Sequence, residues 1–211
     1  MNSSFFEKIS FFCVEVFDFI ILNIFWLIGT LLGGIFFGYA PSTIALFTVL
    51  RQKIMADEKA GTATIFWRTY KKEFIRGNFL GIFLTLIFFI SYINQSNFQV
   101  YEESIFIILT TLSKIARWIF LLAILYIFPM YVHYETNLAN YFSKSLTLTF
   151  LRPHITFFLA VWCWLMYSIF LAIPGLIPFF AISISAFGIM IINYHFFMKN
   201  EANLSPDSED I

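Results

Sequence analysis

Four charged residues inside or beside apolar runs have the types and spacing that could build a polar site. Lys114 and Arg117 are three residues apart, on one face of a predicted helix, inside an apolar run. Glu15 and Asp18 have the same spacing and precede the first long apolar run. A charge at membrane depth costs roughly 2.5–3.5 kcal/mol on insertion scales, so such groups usually face a bundle interior and find partners. One interpretation is therefore a site for an anionic or hydroxylated ligand made of these four side chains.

A plainer interpretation of the same residues needs no ligand. The long side chains of Lys114 and Arg117 can reach the membrane interface from an apolar helix, while Glu15 and Asp18 are solvated. We prefer this interpretation because basic side chains of that length reach the interface readily.

A second group of residues forms a basic and aromatic segment on a predicted amphipathic helix, 64–76. Seven of the thirteen Lys and Arg residues lie between positions 51 and 76. Such a helix could dock a cytoplasmic partner or bind anionic lipid headgroups, where each basic residue contributes about 1 kcal/mol. It could also only fix membrane orientation, with its aromatic residues as interfacial anchors. The candidate docking face is Trp67, Arg68, Tyr70, Lys71 and Lys72.

Residues that commonly carry catalysis or bind metal are isolated in this sequence. His133, His154 and His195 have no Ser, Cys or second His at a spacing typical of a triad or a metal site. Cys13 and Cys163 lie far apart in apolar runs, as buried thiols often do. The chain contains no His-Glu-x-x-His, Gly-x-Ser-x-Gly or phosphate-loop motif. We therefore predict no enzyme, no metal and no cofactor.

Composition determines the broad class of protein. The 211 residues are 60% hydrophobic and 12% charged, with a mean hydropathy of +0.80 and thirty Phe. A soluble domain has about 25% charged residues. The sequence thus predicts an all-α, polytopic membrane bundle, with the lipid bilayer as its surroundings and one domain over 1–198. The acidic tail 199–211 is predicted to be disordered, and a net charge of zero gives no indication of nucleic-acid binding.

A membrane span needs about 20 mostly apolar residues, and the chain has five such segments. A shorter helix, 41–55, begins at Pro41, which suits a first helical turn. Its apolar part is too short to span, so it is either the return arm of a hairpin or a helix on the membrane surface. Glycines four apart before it predict close helix packing or a kink. The predicted spans are 19–37, 75–93, 104–132, 155–173 and 176–197.

The positive-inside rule gives the predicted orientation. Segment 51–76 is rich in basic residues, whereas the loops near 94–103 and 174–178 have none. The basic segment and the carboxyl tail are therefore predicted to be cytoplasmic, in the plasma membrane. Five spans then place the amino terminus outside. If 42–50 crosses as a short arm, there are six spans and the amino terminus is inside.

A weak internal two-fold repeat favours the five-span alternative. In each half an apolar helix ends at a helix-breaking proline, Pro41 or Pro129, and a short helix and another span follow. The second short helix, 130–144, is too polar to enter lipid. By analogy, the first is predicted to lie at the cytoplasmic face.

Three segments resemble the YesL-like bacterial membrane proteins, a DUF624-type family of unknown function. They are Gly-Tyr-Ala-Pro-Ser-Thr-Ile-Ala-Leu at 38–46, Phe-Trp-Arg-Thr-Tyr-Lys-Lys-Glu-Phe at 66–74, and Phe-Pro at 128–129 followed by Tyr134 and Glu135. Where the family usually has Asp and Asn after the second proline motif, this chain has Glu135 and Thr136. The resemblance implies a link to carbohydrate uptake.

Two functions agree with these features. The first is an accessory or regulatory protein that binds a subunit of a carbohydrate transport system through its cytoplasmic helices. The second is a small transporter or channel that acts alone or as a homo-oligomer, since broken helices and repeats mark many transporter sites. The predicted spans contain few polar residues apart from Asn23, Lys114 and Arg117, which favours the first.

Overall fold

The protein is a bundle of eight α-helices. The computed structural model describes residues 3–55, 60–98, 104–134 and 136–204, and one 3-10 turn, Pro174–Leu176, precedes the last helix. The last seven residues of the predicted tail lie outside the described residues, and helix α8 continues past Met198. The helices are α1 (Ser3–Leu32), α2 (Tyr39–Ile54), α3 (Thr62–Lys72), α4 (Phe74–Phe98), α5 (Ser104–His133), α6 (Leu138–Leu151), α7 (Pro153–Ala172) and α8 (Ile177–Leu204).

Five helices are long and apolar enough to cross a membrane, which confirms the five predicted apolar segments. Many of their large apolar side chains are exposed on the protein surface. Such exposure suits contact with lipid and is unfavourable in water. Phe157, Trp164 and Leu171 on α7 are examples, each about two-thirds exposed. The chain is therefore a multi-pass membrane protein. The apolar stretches are Glu7–Leu32, Phe74–Ile93, Ile107–His133, Pro153–Ala172 and Pro174–Met198.

A glycine turn, not a continuous span, joins α1 to α2. The span predicted over 19–37 stops being helical after Leu32, and Gly34 and Ile35 adopt positive φ angles of 66° and 67°. Gly38 packs so closely against the carbonyl oxygen of Thr30 that a Cβ there would overlap with it. The glycine-rich segment 33–38 thus makes a tight reversal of chain direction. The reversal lets α2 fold back along α1.

Helix α2 occupies the centre of the bundle. It packs against α1, α3, α4, α5 and α8, and nine of its residues are buried. The prediction that this helix lies at the cytoplasmic face is therefore wrong, and it is instead the return arm of a hairpin. The apolar length rule did not apply because α2 is surrounded by protein along its length and does not need to match the lipid thickness.

Contacts between residues establish the direction of each helix. Phe19 packs on Phe187 with ring centroids 5.0 Å apart, and Asn23 bonds to the first turn of α8, so α1 and α8 are antiparallel. Trp26 bonds to Thr43, whereas Lys53 at the other end of α2 reaches Asp18. Helices α1 and α2 are therefore antiparallel as well.

The remaining helices follow the same alternation. Gly77 and Gly81 on α4 meet Pro41 and Ala40 near the start of α2, so α4 runs in the direction of α1. Helix α7 runs this way too, while α2, α5 and α8 run in the opposite direction. The amino end of α1 and the carboxyl end of α8 thus lie at the same end of the bundle. The five-span prediction puts the two termini on opposite sides of the membrane, because it does not count α2 as a return arm.

The internal repeat exists in a shifted form. Helices α2, α3 and α4 correspond in direction to α5, α6 and α7, and in both units the short middle helix packs mainly on the helix before it. The two prolines are not equivalent. Pro41 lies in the first turn of α2, whereas α5 continues through Pro129 to His133. The predicted helix over 130–144 is divided by a break before α6.

Asn23 connects α1 to the beginning of α8. Its side chain is 1% exposed, and Nδ2 donates to the carbonyl oxygen of Pro178 at 2.7 Å. Oδ1 accepts from the backbone amides of Ile182 and Ser183 at 3.0 and 3.2 Å. Pro178 is the second residue of α8, and Ile182 and Ser183 are its sixth and seventh, so these bonds reach the first two turns of that helix. One buried amide thus satisfies three backbone groups inside an apolar bundle.

We expect Asn23→Leu to lower the free energy of unfolding by about 1–3 kcal/mol, because buried backbone groups of α8 would lose their partner. Thermal unfolding in detergent measures the change. The matched control is Ile24→Leu, an exposed neighbour whose replacement should be nearly neutral. Equal stability of the two variants would contradict a connecting role for Asn23.

Candidate functional site

A polar cavity of about 590 Å³ lies where the two helical units meet. This volume is within the roughly 300–1,000 Å³ typical of small-molecule sites. Its walls come from α2, α3, the start of α4, the end of α5 and the start of α6, so both units contribute. The lining residues are Ile44, Thr48, Thr69, Lys72, Glu73, Arg76, Phe79, Tyr131, Val132, Thr136, Asn137 and Tyr141.

Glu73 is the fixed acidic group of this cavity. The chain leaves helical geometry at Glu73, between α3 and α4, and its side chain is 13% exposed. The Tyr131 hydroxyl donates to Oε2 at 2.7 Å, and Lys72 Nζ lies 4.0 Å from Oε1. Both carboxylate oxygens thus have a polar neighbour. The sequence indicated Glu73 only as an acid within a basic segment, and Tyr131 comes from the other unit.

Tyr141 fixes the segment between α5 and α6. Its hydroxyl accepts from the Thr136 amide at 3.0 Å and donates to the Tyr134 carbonyl at 2.5 Å. Thr136 Oγ1 is buried and has no hydrogen-bond partner among the described residues. Glu135 lies outside the described residues. The cavity wall therefore contains one buried hydroxyl, that of Thr136, without a hydrogen-bond partner among the described residues.

Among the described lining residues of the cavity, positive charges outnumber negative ones. Lys72 and Arg76 oppose the single described acid, Glu73, which Tyr131 already binds. Helix α6 has Asn137 as its N-cap residue. Helix N-termini add partial positive charge and unpaired amides. The chemistry of this lining therefore suits an anion more than a cation.

The predicted docking face on α3 is divided between two sides of the helix. Tyr70 is buried, and its hydroxyl donates to the Gly29 carbonyl at 2.8 Å. Burial raises the pKa of Tyr70, so the hydroxyl remains protonated. Trp67 is half-buried and packs on Phe25, with ring centroids 5.9 Å apart. These two aromatic residues hold α3 on the bundle and are not free for a partner.

The cations of α3 are on its outer side. Arg68, Lys71 and Lys72 are all exposed, and Lys72 also lines the cavity. The exposed docking face is therefore smaller than predicted, and we define the basic face as Arg68, Lys71 and Lys72.

The structure does not bring the four predicted intramembrane charges together. Asp18 and Glu15 instead contact Lys53 Nζ, at 2.6 and 3.5 Å. Lys114 is exposed and Arg117 is partly exposed, both on α5. Helix α1 packs on α2, α3 and α8, whereas Lys114 and Arg117 lie in the half of α5 far from His133. No pattern in the sequence indicates Lys53, because only the folding back of α2 brings it to α1.

The histidines are not grouped for catalysis. The His133 ring stacks on Phe197 at 5.1 Å and meets Tyr134 edge-on at 4.6 Å. His154 and His195 are exposed. Within the described residues, no group of three His, Cys, Asp or Glu side chains could hold a metal ion.

Comparison with known proteins gives related sequences and no related solved structure. Residues 19–95 match a family described as "Protein of unknown function, DUF624". Among relatives from Bacillus subtilis (strain 168), "Uncharacterized protein YesV" is 33% identical over 86% of this chain and 87% of its own length. "Uncharacterized protein YteU" is 32% identical over 90% and 85%, and "Uncharacterized protein YesL" 30% identical over 71% and 70%. No solved structure matches the chain.

The contact of Lys53 with Asp18 can be tested by a double-mutant cycle. Lys53 is 9% exposed and Asp18 25%, so the pair is only partly screened by solvent. We expect Lys53→Met and Asp18→Asn each to destabilise the protein, and the two changes to couple by about 0.5–3 kcal/mol. Chemical unfolding in detergent measures this coupling. Asp18→Asn with Lys114→Met is the control cycle, which should give additive effects, and the reverse result would favour the charge cluster predicted from sequence.

Proposed function

The chain belongs to the DUF624 family, and we propose from this premise that it is an accessory or regulatory protein of a carbohydrate uptake system. The observation that carries the proposal is the basic face of α3. The resemblance of the chain to YesL-like proteins supports the carbohydrate part. The proposed partner is a transporter subunit with an acidic cytoplasmic surface.

The two sides of α3 have separate tasks in this proposal. Ile65, Phe66 and Tyr70 are buried in the bundle and hold the helix backbone in place. Arg68 and Lys71 point away from this contact and are exposed. Because the backbone is fixed before binding, a partner would order only the cationic side chains, which lowers the entropic cost of association.

We also propose a membrane orientation. Segment 51–76 is cytoplasmic by the distribution of Lys and Arg. Tyr131 at the end of α5 contacts Glu73, and His133 contacts Phe197, so the carboxyl end of α8 is at this face too. Since α1 is antiparallel to α8, the amino terminus is proposed to be cytoplasmic in the plasma membrane.

A small transporter is the second candidate, and one observation favours it. The cavity lies between two helical units of matching direction, and transporter sites commonly lie at such repeat interfaces. If the purified protein alone moved a labelled sugar into liposomes, this second function would replace the first.

Neutralising the basic face should release the partner. We expect Arg68→Gln with Lys71→Gln to remove a carbohydrate permease subunit that co-purifies with the wild-type protein in mild detergent from its native cells. Moderate salt should have the same effect, because exposed charges are screened. Quantitative mass spectrometry measures the bound subunit.

Lys144→Gln is the matched control, since Lys144 is an exposed cation on α6. Lys72 is left unchanged because it also lines the cavity. A permease subunit that remains bound to the double variant at wild-type level would contradict docking through α3.

The proposed orientation predicts which single cysteines react in intact cells. In a background with Cys13 and Cys163 replaced by Ser, we expect Gly175→Cys to react with a membrane-impermeant maleimide from outside. Lys8→Cys and Lys71→Cys should react only after permeabilisation. All three positions are exposed. Labelling of Lys8→Cys in intact cells would show that the amino terminus is outside.

A further inference from the structure

We propose that the cavity between the two units binds the phosphate group of a small hydroxylated compound. This inference can be tested separately from docking through α3, because Arg68 and Lys71 do not line the cavity, although Lys72 belongs to both surfaces. It is carried by the position of Arg76, by the unpartnered Thr136 hydroxyl and by the volume of the half-open polar cavity.

Arg76 supplies the geometry that a phosphate needs. It is on the first turn of α4, and Lys72 is the last residue of α3, so the two cations reach the cavity from either side of the break at Glu73. Guanidinium binds phosphate through two parallel hydrogen bonds, and an ammonium adds a point charge. The single carboxylate of Glu73 offsets only one of these two positive charges.

The segment between α5 and α6 supplies uncharged donors. Thr136 Oγ1 is buried without a partner among the described residues, and Asn137 follows it at the start of α6. A buried hydroxyl without a hydrogen bond costs roughly a full desolvation penalty, which a bound ligand would remove. The N-terminus of α6 adds a favourable field for an anion.

The remaining lining suits the body of the ligand. Thr48 and Thr69 offer hydroxyl groups, and Phe79 offers an aromatic ring. A volume of 590 Å³ is larger than inorganic phosphate needs and can hold a compound the size of a sugar phosphate. The same phosphate chemistry is present in a phospholipid headgroup, so the two sources must be separated by experiment.

Titration of the full chain in nanodiscs tests the site. In phosphatidylcholine nanodiscs we expect a hexose 6-phosphate to bind and the unphosphorylated hexose not to bind, by isothermal calorimetry. Arg76→Gln should weaken binding roughly tenfold to a hundredfold, as expected for loss of a charged hydrogen bond. Thr136→Val should weaken it about fivefold. Lys144→Gln is the charge-matched control and should bind like the wild type.

A second arm uses nanodiscs with phosphatidylglycerol and measures retained lipid by native mass spectrometry. Retention of that lipid that depends on Arg76, without hexose phosphate binding, identifies a headgroup as the source and supports the site. Arg76 is exposed, so its variant should keep the wild-type unfolding temperature, which is measured in parallel. Binding of neither compound, or equal binding to the wild type and Arg76→Gln, would overturn the proposal.

Discussion

The close approach of α2 to α1 and α4 is the contact on which the rest of the fold depends. A Cβ on Gly29 would lie 2.5 Å from Ser42 Oγ, and one on Gly81 would lie 2.6 Å from Ala40 Cβ. Small residues let helix backbones pack where burial from water supplies no driving force between lipid-facing helices. Helix α2 packs antiparallel to both α1 and α4, so α1 and α4 run in the same direction. Helix α3 and the cavity are both positioned by that arrangement.

The parts of the fold that depend on local sequence were predictable. Span length and composition are properties of single segments, and five apolar helices appear where the sequence placed five spans. The place of α2 was not predictable in this way. Its short apolar length predicts a helix that does not cross lipid, but most of its residues are buried within the protein. Apolar length measures lipid thickness only for a helix that lipid surrounds.

In the candidate site too, some features follow from the local sequence and others only from contacts with distant parts of the chain. The basic character of α3 was visible from composition, and Arg68 and Lys71 are indeed exposed. The roles of Trp67 and Tyr70 depend on Phe25 and Gly29, about forty residues earlier in the chain. An aromatic residue in a basic segment can anchor to lipid or to protein, and only the fold decides which.

The cavity links the two units in a way that neither could achieve alone. Glu73 belongs to the first unit and its partner Tyr131 to the second, so this hydrogen bond crosses the interface between them. Arg76 and Thr136 also line the cavity from different units. A ligand in contact with both would add a second connection across that interface, and it would do so next to Lys72 on the basic face. Binding energy in the cavity would then favour one placement of α3 relative to α5, because a ligand stabilises the arrangement to which it binds more tightly. If both proposals hold, the cavity is the position from which a soluble or lipid phosphate would control docking.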